Sequence, residues 1–253
     1  MSTLMRSVWK VFLLMFISVF SKTTEGRHVS RPSFPIEGHC LSWRVSVEAN
    51  NVLAWRSVPI QCFFYVEHYM LGGQYDQEVS TVVQQIYQYM AGIVPGDDGK
   101  DVWILDVDDT CLSNLCYYQG KRYGVDPFDS VAFKNWATRA RCLAIPAVLG
   151  LFERLVDSGF KVILLTGRDD ETLGKPTIQN LENQGFVGYE RIILRKSEYK
   201  SKGAVFFKSE MRKQLAAEGY RIRGNVGDQW SDLQGDFVGD RTFKLPNAMY
   251  FVP

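Results

Sequence analysis

Three carboxylates, Asp106, Asp108 and Asp109, crowd four positions in the stretch KDVWILDVDDTCLSN (residues 100–114). Like charges so close repel and raise one another's pKa, so the cluster calls for a compensating charge. It follows an apolar, strand-forming run at residues 102–105. Two later apolar runs also end in reactive side chains. Thr166-Gly167-Arg168-Asp169 follows residues 162–165, and Gly227-Asp228-Gln229-Trp230-Ser231-Asp232 follows residues 220–226, with Lys208 in the preceding helical stretch. Open parallel sheets bind ligands beyond the carboxyl ends of their strands, so these groups are expected to share one edge.

Crowded carboxylates are best rationalised by a hard cation, and an all-oxygen donor set suits Mg²⁺. Asp106 and Asp228, from two strand ends, can each lend an oxygen. Val107 separates the acidic pair, so Asp106 and Asp108 project from one side of an extended chain. With its charge partly neutralised, Asp106 can attack phosphorus as a nucleophile. Asp108 can protonate the leaving oxygen and later take a proton from water. Thr166 Oγ, the Gly167 N–H and Lys208 are the candidates for holding the remaining phosphate oxygens, because phosphoryl transfer rests on positioning and charge neutralisation. Taken singly, an Asp at a strand end is more often a helix cap, and Arg168 and Asp169 read that way or as residues orienting the loop. Trp230 reads as packing. Tyr117, Tyr118 and Trp136 leave packing and substrate contact open.

Positioning these groups requires a repeating scaffold. Val148, Phe152 and Leu155 mark an amphipathic helix stopped at Gly159 before the strand at 162–165. The theme recurs with Gly185 before residues 192–194 and with Gly219 before residues 220–226, glycine supplying the left-handed residue that ends a helix. Helices alternating with short apolar strands predict an α/β, doubly wound parallel sheet. Asp106 and Thr166 stand 60 positions apart, whereas a plain strand–helix–strand unit needs roughly 30. The surplus, about residues 111–143, is rich in aromatics and predicts a small cap over the site, with surface packing as the bland alternative. Upstream, residues 27–78 read as an extension without strong helical periodicity, with a turn at Gly72-Gly73. A helix is expected from Ser80 as N-cap through Val82, Val83, Ile86 and Met90.

Composition sets outer bounds. The 253 residues suffice for one substantial domain, and a formal charge of +1 gives no electrostatic argument for nucleic acid or an anionic membrane. The basic cluster LRKSEYKSK (194–202) reads as a solvated face. Residues 1–26 have the layout of a secretory signal peptide, with Arg6 and Lys10 ahead of an apolar run at 11–20 too short to span a bilayer. Cleavage after Ser21 or after Gly26 both fit, leaving no stable membrane association and one domain over residues 27–253. Loss of Arg6 and Lys10 takes the formal charge from +1 to −1. Export makes disulfides available to Cys40, Cys62, Cys111, Cys116 and Cys142. Cys40–Cys62 is the favoured pair, and the other three leave one thiol over. The absence of Cys-x-x-Cys argues against a zinc site, and no Asn-x-Ser/Thr acceptor occurs.

The motifs ILDVDDT, ILLTGR, FFKS and NVGDQWSD, in this order, resemble those of the haloacid dehalogenase superfamily of phosphatases. The flanks DVDDTCLSN…YY, GYRIRGNVGDQWSDLQG and RTFKLPNAMYFVP resemble its plant secreted acid phosphatase branch, which includes vegetative storage proteins. The resemblance covers essentially the whole chain after the leader. It implies a nucleophile at Asp106, an acid/base at Asp108, phosphate contacts at Thr166 and Lys208, and Mg²⁺ held by Asp106, the Asp108 carbonyl and Asp228. Asp232 would contact the metal or its water, and Asp109 would be a structural companion. Lys208-Ser209 fits the family spacing better than Lys196, Lys200 or Lys202. A receiver domain orders its Asp, Thr and Lys differently. The expected substrate is a small phosphate monoester, in the cell wall or alternatively a vacuole. A storage or defence role with incidental activity is the alternative function. Whether the chain forms a homodimer stays open.

Overall fold

The computed structural model describes residues 35–253, so the leader and its cleavage sites lie outside the described residues. Three helices come first: α1 (Ile36–Glu48), α2 (Phe63–Leu71) and α3 (Gln74–Met90). This corrects the expectation of an aperiodic extension. The buried face of α1 is Cys40, Arg44 and Val47, a helical spacing carried by a cysteine and an arginine that an apolar count passes over. Arg44 donates to Glu78 of α3 at 2.7 and 2.9 Å, and Cys40 is disulfide-bonded to Cys62 as expected. Helix α3 also starts earlier than Ser80. Gly73 precedes it with a φ of 89°, and Tyr75 and Val79 already belong to its buried stripe with Val83, Ile86 and Met90.

The remaining elements alternate as the sequence predicts. Strand β1 (Asp101–Leu105) is followed by the short helices α4 (Leu115–Gln119) and α5 (Ser130–Ala137), then α6 (Pro146–Asp157), β2 (Lys161–Asp169), α7 (Asp170–Asn183) and β3 (Arg191–Arg195). After these come α8 (Ala204–Ala217), β4 (Arg221–Gly227), α9 (Trp230–Leu233) and β5 (Thr242–Lys244). The strands form one five-stranded sheet in the order β3-β2-β1-β4-β5, and every adjacent pair is parallel. Chain progress reverses at β1, whose neighbours are β2 and β4, and such a switch point opens a crevice at the strands' carboxyl ends. Strand β2 runs through Asp169 where a loop from Thr166 was expected, with its register to β3 shifting between Leu165 and Asp169.

Successive β1 residues feed opposite faces of the sheet. Trp103 and Leu105 join a core with Val162, Leu164 and Val226, covered by Val83 and Ile86 of α3 and Phe152 of α6. Val102 and Ile104 join Ile163, Leu165 and Ile222 under Phe207, Met211 and Leu215 of α8. Burial on both faces explains why β1 reads as a continuous apolar run. The three cysteines Cys111, Cys116 and Cys142 are all free thiols.

Two features fix the base of β1. The Trp103 ring stacks on Phe243 at 5.9 Å and lies where a Cβ on Gly224 would be, 2.1 Å from its Cζ3. Asp101, 2% exposed, accepts from Arg221 Nε at 3.0 Å, Arg223 Nε at 2.5 Å and the Gly96 N–H at 2.7 Å. The Arg221 hydrogen bonds hold its carboxyl well below the usual carboxylate range, against the opposing effect of burial. Gly224→Ala is expected to lower stability by about 2 kcal/mol or more, because a fully buried indole has to move; a denaturant melt with an unchanged midpoint would contradict this packing. Asp101→Asn is expected to cost about 2 kcal/mol at neutral pH through lost charged hydrogen bonds. A depressed folded pKa contributes stability above the unfolded value and loses it as pH falls through the folded one. The gap between Asp101→Asn and the parent should therefore close as pH drops below about 4, which parallel melts across pH would show.

Candidate active site

At the carboxyl end of β1 the Asp106 N–H donates to the Val226 carbonyl at 3.0 Å, which carries the sheet's ladder to the first acidic residue. Strand β4 delivers Asp228 just beyond its last residue, and α9 contributes Asp232. One oxygen from each of Asp106, Asp228 and Asp232 lies within 4.8 Å of the others, and all three residues are buried. Lys208 reaches them from α8. Its Nζ donates to Asp106 Oδ1 at 2.5 Å and to Asp232 Oδ1. Phe207 and Met211, on either side, pack α8 onto the sheet, and this aims Lys208 inward. One turn on, the fully buried Arg212 donates to the carbonyls of Asp232 (2.8 Å), Gln234 (2.6 Å) and Asp236 (3.0 Å), fixing the segment that carries Asp232.

Burial, opposed by Lys208 and reinforced by the neighbouring carboxylates, pushes the Asp106 carboxyl well above its ordinary value. Asp228 is pushed up to about 8, by burial first and then by Asp232 and Asp109. Three amide or hydroxyl donors surround Asp228: Thr110 Oγ1 at 3.3 Å, Gln229 Nε2 at 2.7 Å and Asn247 Nδ2 at 2.6 Å. None of them carries charge, and Lys244, whose charge lowers Asp228, is itself paired with Glu48, so among the described residues Lys208, bonded to Asp106 and Asp232, is the one cation in contact with the three buried carboxylates. A divalent cation with oxygen ligands fits this deficit, and Asp106, Asp228 and Asp232 are the side chains that would hold it. The Asp108 carboxylate is not in this group.

Asp108 instead faces Arg168. Arg168 Nη2 donates to its Oδ1 at 2.8 Å and Nε to both oxygens at 3.1 Å, while Asn114 Nδ2 donates to Oδ1 at 2.9 Å. Burial alone would raise the Asp108 carboxyl, but the Arg168 charge and hydrogen bonds outweigh it and hold it below the usual value. Arg168 was read as a capping or loop residue; its buried guanidinium belongs to the site, and no pattern beyond its place after Thr166-Gly167 signals this. Asp169 does cap α7, accepting from the Thr172 N–H at 2.9 Å. Asp109 adopts a φ of 51°, accepts from the Asn114 N–H at 2.8 Å and so steadies the residue that steadies Asp108. Burial pushes its carboxyl up to about 7.

Gly167 and Lys208 line a cavity of about 610 Å³ together with Asp106, Asp108, Arg168 and Asp232. Thr166 is fully buried beneath it, and its Oγ1 accepts from the Arg168 N–H at 3.1 Å. Lys200 sits on the wall, paired with Glu171 at 2.7 Å, which leaves Lys208 as the inner lysine. From the segment between β1 and α6, Tyr118, Phe128, Phe133 and Lys134 line the wall, and Lys134 pairs with Asp169 at 2.7 Å. Tyr117 and Trp136 pack around Phe133 (centroids 5.3 and 5.8 Å) and do not line the cavity, whereas Tyr118 does. The Trp230 indole N–H donates to the Glu48 carbonyl at 3.0 Å, a packing role as read.

A family model described as HAD superfamily, subfamily IIIB (Acid phosphatase), matches residues 25–253. Acid phosphatase 1 of Solanum lycopersicum is 45% identical over 213 residues, covering 84% of this chain and 83% of its own length. Vegetative storage protein 2 of Arabidopsis thaliana is 37% identical over 217 residues, covering 85% of this chain and 81% of its own. The class C acid phosphatase of Bacillus anthracis shares the fold, with a TM-score of 0.63 at 20% identity over 76% of this chain and 85% of that one. The chain belongs to subfamily IIIB of the HAD superfamily, the acid phosphatases.

Proposed function

We propose that this acid phosphatase is a Mg²⁺-dependent phosphomonoesterase whose nucleophile is Asp106. The observation that carries the reading is that Asp106, Asp228 and Asp232 converge, with Lys208 paired to Asp106 and Asp232, where Asp106, Asp232 and Lys208 line one cavity. These three side chains and the Asp108 carbonyl would hold the cation, which when bound would supply charge neutralisation for a phosphoryl group. Asp106 attacks phosphorus, the bond to the leaving oxygen breaks, and an aspartyl-phosphate forms on Asp106. Lys208 and the Gly167 N–H face the other phosphoryl oxygens, and the Thr166 hydroxyl keeps a proton to donate.

Asp108 gives its proton to the leaving oxygen, then takes one from the water that attacks the aspartyl-phosphate. Inorganic phosphate leaves and Asp106 is restored. The ionised form that Arg168 favours is the one that accepts the water's proton. For the first step a proton enters from solvent, since the Asp108 side chain is 21% exposed. The aromatic segment at 111–143 acts as a cap that shapes the leaving-group side of the cavity. The substrate is a small phosphate monoester, and residues 1–26 direct the protein to export, to the cell wall or a vacuole. A storage role rests on the likeness to vegetative storage proteins; the intact Asp106 and Asp108 favour the enzyme.

Asp106→Asn is expected to lower hydrolysis of an aryl phosphate by at least about a thousandfold with an unchanged melting profile, because Lys208 keeps Asp232. Turnover retained in that variant would reject Asp106 as nucleophile. Mg²⁺ should raise the melting temperature of the parent protein and chelator should reverse this, binding to the native state alone being stabilising. Asp228→Asn should abolish most of that shift, and an equal shift in the variant would place the cation elsewhere.

A further inference from the structure

Five cationic side chains line the cavity: Lys134, Arg168, Arg195, Lys200 and Lys208. Four of them have carboxylate partners, namely Asp169 for Lys134, Asp108 for Arg168, Glu171 for Lys200, and Asp106 with Asp232 for Lys208. Arg195 has none among the described residues. Its Nη2 donates to the Lys202 carbonyl at 3.3 Å, and its buried Nε has no hydrogen-bond partner. The guanidinium lies 5.2 Å from the centre of the Phe207 ring. Burial lowers the Arg195 pKa from its ordinary value, and no carboxylate offsets this. A guanidinium stays charged in proteins, so this half-buried one, with no carboxylate partner on the cavity wall, is free to meet an arriving anion.

Its position separates it from the reacting centre. Arg195 ends β3 and pairs in register with Asp169, three residues past Thr166 on β2. Strand β3 lies two strands from β1 and Ile193 is level with Asp106, so at roughly 3.3 Å per residue and 4.8 Å between strands the Arg195 backbone lies on the order of 10 Å from that of Asp106. Lys208 already serves the phosphoryl position. Phe128 and Phe133 line the same cavity and offer apolar contact to a spacer.

We infer that Arg195 forms a second anion subsite, which selects phosphate monoesters whose alcohol part carries another anionic group, a carboxylate or a second phosphate, across a ring-sized spacer. The inference rests on the reading of the cavity as the phosphomonoesterase site, and it names the substrate class. In such a substrate the transferred phosphoryl group meets Asp106 and Lys208. The distal anion accepts from the Arg195 Nη groups.

Non-hydrolysable ligands test the subsite apart from turnover. Calorimetric titration of the Mg²⁺-loaded protein would compare benzylphosphonate, 4-carboxybenzylphosphonate and the para-bisphosphonate. In the parent protein the second anion should tighten binding about tenfold or more, as for a charged hydrogen bond. That gain should fall below about threefold in Arg195→Gln and be largely kept in Arg195→Lys, each variant first shown to melt like the parent. Should Arg195→Gln fail to melt like the parent, Arg195→Met replaces it. A gain for either anion that vanishes with the charge supports the subsite, and the larger gain identifies the preferred anion. No gain in the parent, or a gain that survives loss of the charge, overturns it. Turnover of phenyl phosphate by the parent is measured alongside. Its absence, with the Arg195-dependent gain intact, would count against the phosphatase reading and leave the subsite standing.

Discussion

Lys208 brings one positive charge to a place where Asp106, Asp228 and Asp232 bring three buried carboxylates. Isolated buried charges are too costly to persist, and paired ones are tolerated only with close geometry and full hydrogen bonding. Much of the local architecture serves that balance. Strands β1 and β4 are adjacent so that Asp106 and Asp228 emerge side by side, and α8 packs against them so that Lys208 can enter. Arg212 holds three carbonyls to keep the Asp232 segment in place, although it touches no carboxylate oxygen itself. The charge still unmatched is what makes the site receptive to a cation.

A second set of contacts links this balance to the chain beyond β5. Gln229 and Asn247 both donate to Asp228 Oδ2. Each then spends its carbonyl oxygen on the following segment: Gln229 Oε1 accepts from the Val252 N–H at 2.9 Å, and Asn247 Oδ1 from the Met249 N–H at 2.8 Å. Tyr250 stacks on Tyr118 with centroids 4.8 Å apart and planes 7° from parallel. Orientation of the Asp228 carboxylate and closure of the cavity wall therefore share the same two amides.

The parallel sheet, its three acidic or hydroxyl-bearing strand ends and the Cys40–Cys62 bond were legible because each leaves a local signature: apolar runs, glycine stops, crowded aspartates, a bracketing cysteine pair. The first two helices were not, because α1 buries Cys40 and Arg44 where hydropathy reads polar or neutral. Ser80 misled as a cap because a serine before an apolar run looks alike at the start and in the middle of a helix, and only Gly73 in the left-handed region marks the true start. Arg168 and Arg212 escaped for another reason. Their partners lie 60 residues away for Asp108 and 20 for the Asp232 carbonyl, and nothing short of the folded sheet brings those pairs together. Arg195 could be seen only once the carboxylates of the other cavity cations were known.

A crystal structure of the protein with Mg²⁺ and beryllofluoride would examine nucleophile and cation together. The geometry argued above places the beryllium on an Asp106 carboxylate oxygen, with fluorines toward Lys208 and the Gly167 N–H and the ion between Asp106 and Asp228. Beryllium bound at another side chain, or a metal ion away from those two aspartates, would contradict it.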